Sequence, residues 1–196
     1  LTIIVAVEHK DGVVVACDSQ VTDTGTSFLM HKSQKKVGHR GPYIIGTAGR
    51  LRTGQVLLNA DDLPVPDENL NDDELNRFMI TKFAHAAQEA MKDSGTEQVL
   101  DHERLLTESE LIVCVQGRSY MIGEDYSVMR AGDESKVANG IAIAGSGFKF
   151  ALGAYYALSL RNRKMDPVEV ATTMVEAALR WDQYCGGDIE VHEQPK

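Results

Sequence analysis

The sequence predicts an α+β fold with helices packed outside stacked sheets. Three observations predict it: short β-branched runs cluster at both ends of the chain, helical periodicities lie between and after them, and no internal repeat or low-complexity tract breaks the pattern. The first two strands are expected over 2–7 and 13–18, joined by the turn-like EHKDG. The run YIIGTA at 43–48 reads as a buried strand. Segments 110–115 and 118–122 form a hairpin about Gln116-Gly117. Segments 141–145 and 189–191 complete the strands. A helix over 74–92 places Leu75, Phe78, Met79, Phe83, Ala86, Ala87, Ala90 and Met91 on one face, with Asn71 and Glu74 as a capped start. A second helix, 148–160, is apolar nearly all round, which predicts burial between layers. A third starts on an Asp166 cap with Pro167 at its first position and Glu169 completing a capping box. Its stripe is Val168, Ala171, Met174, Val175, Ala178 and Leu179, and Gly186-Gly187 ends it. The segment DDLPVPDENLNDDE at 61–74 is either a solvated loop or a partner-facing one.

The chain has 196 residues, enough for one domain with a substantial core. Hydrophobic and charged fractions of 43% and 25% are ordinary for a globular protein. Twenty basic against 29 acidic residues leave a net charge of −9. That sign argues against nucleic acid and against an anionic membrane surface as partners. No apolar run approaches the roughly 20 residues that span a bilayer. Glu8, His9, Lys10 and Asp11 interrupt the first apolar run, so no secretory signal is expected. Cys17, Cys114 and Cys185 are odd in number and not in metal spacing, which predicts a reducing, cytoplasmic compartment without a disulfide framework. The six histidines form neither HExxH nor a Cys/His set, so neither a metal nor a cofactor is expected. No GxSxG occurs, and GSGFKF lacks the third glycine of a dinucleotide fingerprint.

Six residues could carry chemistry. Thr2 is either a strand residue or a nucleophile whose base is its own α-amine, a group with an ordinary pKa of about 7.7–8.0. Asp18, at the end of VVVACD, caps a turn or projects into a cleft. Lys36 is either a solvated neighbour of Lys32 and Lys35, or a cation that keeps a nearby amine uncharged. Gly46 in IIGTAGR relieves crowding or aims its N–H at a developing oxyanion. Ser146 lies where a strand turns into a helix. Asp182 follows the third helix, where an acid is mildly unfavourable, and that conflict hints at a role.

Together these features resemble the proteolytic β-type subunits of the proteasome family, including the bacterial HslV-type peptidases. The resemblance is carried by TIIVAVEHKDGVVVACDSQVT, MHKSQKKV, IIGTAGR, IAIAGSG and RWDQYCGGDI, in that order along most of the chain. It implies a single domain over 1–196 with the four-layer αββα sandwich of N-terminal nucleophile hydrolases. It implies that Thr2 is the nucleophile, that Asp18 orients the catalytic Lys36, and that Gly46 serves the oxyanion. Ser146 and Asp182 would contact the terminal amine and position its proton. Gln20, Ile45, Gly46 and Ala48 would line the substrate site, with Ile45 in an apolar pocket for the residue before the cut. The implied partners are polypeptide substrates, further copies in stacked rings, and an ATP-driven unfoldase.

The chain departs from the family pattern in four places. Arg50 stands where the family often has an acid. Cys185 replaces a common serine, and a thiol is a weak donor. The acidic segment replaces much of the expected first helix after Gly54. Leu1 precedes Thr2, and while joined to it makes the Thr2 nitrogen an amide. Leu1 is therefore expected to be removed, either as an initiator position written by a non-standard start codon or as the remnant of a propeptide cut autocatalytically. The expected function is a threonine endopeptidase subunit. The competing expectations are an inactive structural ring subunit and an N-terminal nucleophile amidohydrolase acting on small amides.

Overall fold

The first two strands are apolar at nearly every position, so a pair built from them has to be covered on both faces. The computed structural model covers them so. It describes residues 2–23, 26–30, 34–95, 97–100, 103–106, 109–130, 140–161 and 165–196. Strands β1 (Ile4–His9) and β2 (Gly12–Asp18) pair antiparallel, Ile4 opposite Cys17. Next come β3 (Gln20–Asp23), β4 (Thr26–Leu29), β5 (Val37–Arg40) and β6 (Tyr43–Ala48). Helices α1 (Leu51–Asn59) and α2 (Asp72–Phe78) follow, then a π-helical turn (Met79–Phe83) running into α3 (Ala84–Asp93). The second half holds β7 (Glu97–Leu100), β8 (Glu103–Leu106), β9 (Glu110–Val115), β10 (Arg118–Ile122), β11 (Val128–Met129), β12 (Gly140–Ala144), α4 (Phe148–Ser159), α5 (Pro167–Trp181) and β13 (Ile189–Pro195).

One sheet has the order β12-β1-β2-β13 and the other β11-β10-β9-β6-β5, while β3-β4 and β7-β8 form separate hairpins. Strand alternation sorts the side chains into three apolar layers. Ile3, Val5 and Val7 pack against Tyr155, Ala171 and Met174 of the α4–α5 layer. Ile4 and Ala6 face the other way and meet Ile44, Ile112 and Ala142 between the sheets. Ile45, Leu111 and Val113 pack beneath Leu75, Phe83 and Met91 of the α2–α3 layer. The result is an αββα sandwich. Among the described residues no helix is long and apolar enough to cross a membrane.

The β9–β10 turn falls where the sequence places it, with Gln116 and Gly117 at φ of 49° and 69°, the pair of positive values a two-residue hairpin loop prefers. Asn71 and Glu74 form the reciprocal cap, each bond 3.0 Å. Asp166 accepts from the amides of Val168 and Glu169. Three expectations are corrected. The chain is helical from Leu51, so α1 is present and the acidic segment begins only after it. The π turn re-phases the long helix, leaving Ala86 and Ala90 only half-buried. And α4 is not sandwiched between layers: Ala151, Tyr155 and Leu158 are buried, but Phe148, Phe150, Leu152 and Tyr156 are exposed.

Far along β1 from its start, Glu8 is buried and accepts from the amide and hydroxyl of Ser119 at 2.7 and 2.9 Å. Arg130 pairs with it at 2.9 Å and with Asp72 at 3.1 Å, tying the two sheets to the start of α2. Glu8→Ala leaves Arg130 and the Ser119 amide without this partner. A loss of about 2–3 kcal/mol in unfolding free energy is expected in a urea titration.

Candidate active site

The first residues of β1, the last of β2 and the residue before β5 converge at one end of the sandwich. Thr2, Asp18 and Lys36 are all buried there, at 3%, 0% and 8% exposure. Three polar side chains so far from water must satisfy one another. The Lys36 ammonium donates to Thr2 Oγ1 at 2.5 Å and to Asp18 Oδ1 at 2.6 Å. The Thr2 hydroxyl donates to Asp18 Oδ1 at 2.5 Å. Asp18 accepts further bonds from the Ile3 amide at 3.1 Å and, on Oδ2, from the Gly186 amide at 3.1 Å. The main chain of Lys36 is fixed too, its carbonyl accepting from the Thr47 amide at 3.0 Å.

Gly46 stands opposite Val37, the residue after Lys36. A Cβ there would lie 3.1 Å from Val37 Cγ2 and 3.2 Å from Ile4 Cδ1, so close packing of the sheets itself favours glycine. Ala48 is buried in the same inter-sheet layer. Ile45 is not: the alternation of β6 sends its side chain to the α2–α3 layer, and Ile44 takes the inward place. The assignment of Ile45 to a substrate pocket beside Thr2 is thereby corrected. Gln20 lies across from Gly186, whose carbonyl accepts its amide at 3.0 Å. Arg50, exposed, precedes α1 and donates its amide to Ser109 Oγ at 3.1 Å.

A second polar group adjoins the main chain of Thr2. The Thr2 carbonyl accepts from the Gly147 amide at 3.3 Å and from Ser146 Oγ at 3.4 Å. Gly145 turns beneath it with φ of +101°, and a Cβ there would fall 2.2 Å from that carbonyl oxygen. Asp182 caps the end of α5, accepting from the Tyr184 amide at 3.0 Å and the Cys185 thiol at 3.3 Å. Burial alone would raise the Asp182 pKa, but hydrogen bonds from Ser146, Tyr184 and Cys185 outweigh it and hold the carboxyl below its ordinary range. Burial also pushes the Cys185 thiol up to about 12, so it stays protonated and serves as a donor. Leu1 lies outside the described residues.

All six residues expected to carry chemistry thus lie at or beside one end of the sandwich. Sequence reasoning missed Gly186, whose amide completes the shell of Asp18. Its signal, the pair Gly186-Gly187, reads equally well as a helix stop. Gly145 was read only as the end of a strand. Among the described residues no cluster of three or more metal-ligating side chains occurs.

The fold is shared with solved structures of BPH and HslV. BPH from Thiobacillus denitrificans superimposes with a TM-score of 0.75 at 19% identity, covering 98% of this chain and 97% of its own. The same protein in complex with epoxomicin gives 0.74 at 19% identity, with 98% of both chains covered. Eukaryotic HslV from Trypanosoma brucei gives 0.65 at 23% identity, with 99% of both covered. This likeness establishes the fold. No protein-family model and no curated protein matches the sequence significantly.

Two outcomes follow for the group behind Thr2. Gly145→Ala forces a side chain against the Thr2 carbonyl, and thermal unfolding should show a loss of at least about 1–3 kcal/mol. Asp182 has a depressed folded pKa, so its charged-state contribution is present above the ordinary carboxylate range and fades as pH falls through the folded value. The stability gap between wild type and Asp182→Asn is expected to be flat above about pH 5 and to shrink below about pH 4.

Proposed function

We propose that the chain is a threonine-type endopeptidase subunit of a self-compartmentalising, proteasome-like assembly, active once Leu1 has left Thr2. The observation that carries this reading is the buried contact of Thr2 Oγ1 with Lys36 and Asp18 at 2.5 Å each. A hydroxyl held by an ammonium that also grips a carboxylate is stabilised as negative charge develops on it.

In the proposed reaction the freed α-amine of Thr2 accepts the Oγ1 proton as Oγ1 attacks a peptide carbonyl. Lys36, charged and oriented by Asp18, favours the neutral amine by like-charge repulsion. The Gly46 amide is the assigned donor to the tetrahedral oxyanion. The amine then protonates the departing nitrogen, leaving an ester on Oγ1, and water activated by the same amine hydrolyses it. Ser146 and Asp182 hold the segment behind Thr2 and orient the amine proton. Gln20 and Ala48 are the assigned substrate contacts. Polypeptides are the proposed substrates, rings of identical subunits the proposed assembly, an ATP-driven unfoldase the proposed partner and the cytoplasm the proposed compartment.

One observation favours a second reading. Leu1 precedes Thr2 in the sequence, and while attached it leaves an amide there and no base, which fits a structural ring subunit without activity. Intact mass separates the two: a mature chain that starts at Thr2 supports the enzyme, and one that keeps Leu1 attached supports the structural subunit. Thr2→Ala and Lys36→Ala are each expected to lower peptide-cleavage kcat/KM by at least about 10³-fold, Thr2→Ala with the fold intact and Lys36→Ala with about 3–5 kcal/mol of stability lost as well. Epoxomicin, which BPH binds, is expected to add covalently to wild type and not to Thr2→Ala. Full cleavage by Thr2→Ala would overturn the mechanism.

A further inference from the structure

The five-stranded sheet ends in β5 on one side and β11 on the other, and these two edges carry opposite charge. Beside β5 a groove of about 710 Å³ runs along α1. Among the described residues its cationic lining is Lys35 and Arg52, joined by His39, Gln55 and Asn59, and none of the lining is a carboxylate. All five side chains are exposed. The ion pairs among the described residues include neither Lys35 nor Arg52. On a chain of net charge −9, such a groove runs against the average surface.

The opposite edge is acidic. Glu124 and Asp125 are exposed in the turn between β10 and β11. Arg130, directly after β11, reaches Asp72, so the first turn of α2 with its Asp72, Asp73 and Glu74 lies at this same edge. Arg118 and Arg130 bind Asp72 there, leaving Asp73, Glu124 and Asp125 outside the ion pairs of the described residues.

We propose that copies of this chain join head to tail, the β5–α1 groove of one copy receiving the Glu124-Asp125 edge of the next. The inference rests on the proposed assembly of identical subunits and names its surface. Charge complementarity selects a second copy as the occupant, because the anionic surface that fits the groove is built into the same molecule at the far edge. A contact between two different patches is heterologous, so repetition closes a ring or extends a filament. It also covers the unpaired edge of β5, which would otherwise be open to indiscriminate pairing. Opposed charges set the register of such a contact and suppress wrong ones.

The test is sedimentation velocity on the full chain. Four forms are compared: wild type, Lys35→Glu/Arg52→Glu, Glu124→Lys/Asp125→Lys, and the chain carrying all four changes. Circular dichroism checks that each is folded. Wild type is expected to assemble and to loosen as salt rises toward 1 M. Each double reversal sets like charges against each other and is expected to raise the dissociation constant at least about tenfold. The fourfold chain restores opposite charge at every contact and is expected to recover assembly to within about threefold of wild type. Wild-type assembly that persists unchanged in Lys35→Glu/Arg52→Glu, or a fourfold chain that stays dissociated, overturns this surface while the assembly itself stands. A monomeric wild type overturns both.

Discussion

The ion pair between Lys36 and Asp18, buried at the junction of the two sheets, is the constraint on which the rest of this structure depends. Two opposite charges withdrawn from water recover their desolvation cost only when their remaining bonding capacity is met. Asp18 meets that condition with four donors: an ammonium, a hydroxyl and two backbone amides. They come from three separate parts of the chain, at residues 2–3, 36 and 186. The ion pair therefore requires the start of β1, the end of β2, the entry to β5 and the turn after α5 to meet at one point. An αββα sandwich brings these ends together because its sheets stack with β1 and β2 central in one and β6, next to the edge strand β5, in the other. Losing either charged partner would strand the other, at about 3–5 kcal/mol by comparison with other buried pairs.

Much of this was legible in the sequence, and the exceptions have physical causes. β6 and the β9–β10 hairpin are placed to the residue, because strand alternation and a two-residue turn are strong local signals. The Asp166 and Asn71 caps are legible for the same reason. The π turn is not, since one widened turn inside a helix is marked by no particular residue type in MITKF. The all-round apolar character of α4 was read as burial. Composition reports how apolar a helix is and not what covers it, and in the isolated chain one side stays bare. Ile45 was misplaced by one step of alternation: the sequence shows an apolar run, while only the stacked sheets decide which members face inward. The candidate site was legible as a set of residues. Its closing contacts, the Ile3 and Gly186 amides, were not, because a main-chain donor has no residue type to read.

The group behind Thr2 shows how a weaker donor is accommodated. Cys185 occupies a place next to Asp182 where a hydroxyl would be the stronger partner. Its Sγ lies 3.3 Å from Asp182 Oδ2 and 3.9 Å from Ser146 Oγ. Burial keeps the thiol protonated, which makes it a donor to Asp182. Asp182 makes up the deficit with the Tyr184 amide and Ser146, and its carboxyl stays charged below the ordinary range. A fixed negative charge there suits the proposed role of orienting a proton on the Thr2 amine.

That amine is the one component the other residues cannot replace. Lys36 is already a donor to both Thr2 and Asp18, and an ammonium has no lone pair with which to accept the hydroxyl proton. Asp18 has acceptor capacity, but its Oδ1 already serves three donors. A proton placed on that oxygen would face the Lys36 ammonium at 2.6 Å and break the pairing that holds the sheets' ends together. With both neighbours committed, the proposed base must come from the backbone of Thr2 itself, and an amide nitrogen is not basic. In the proposed mechanism, the ion pair that builds the site thus leaves the free α-amine of Thr2 as the base. Under that proposal, folding assembles the pocket in full and the chemistry waits for a free amino group.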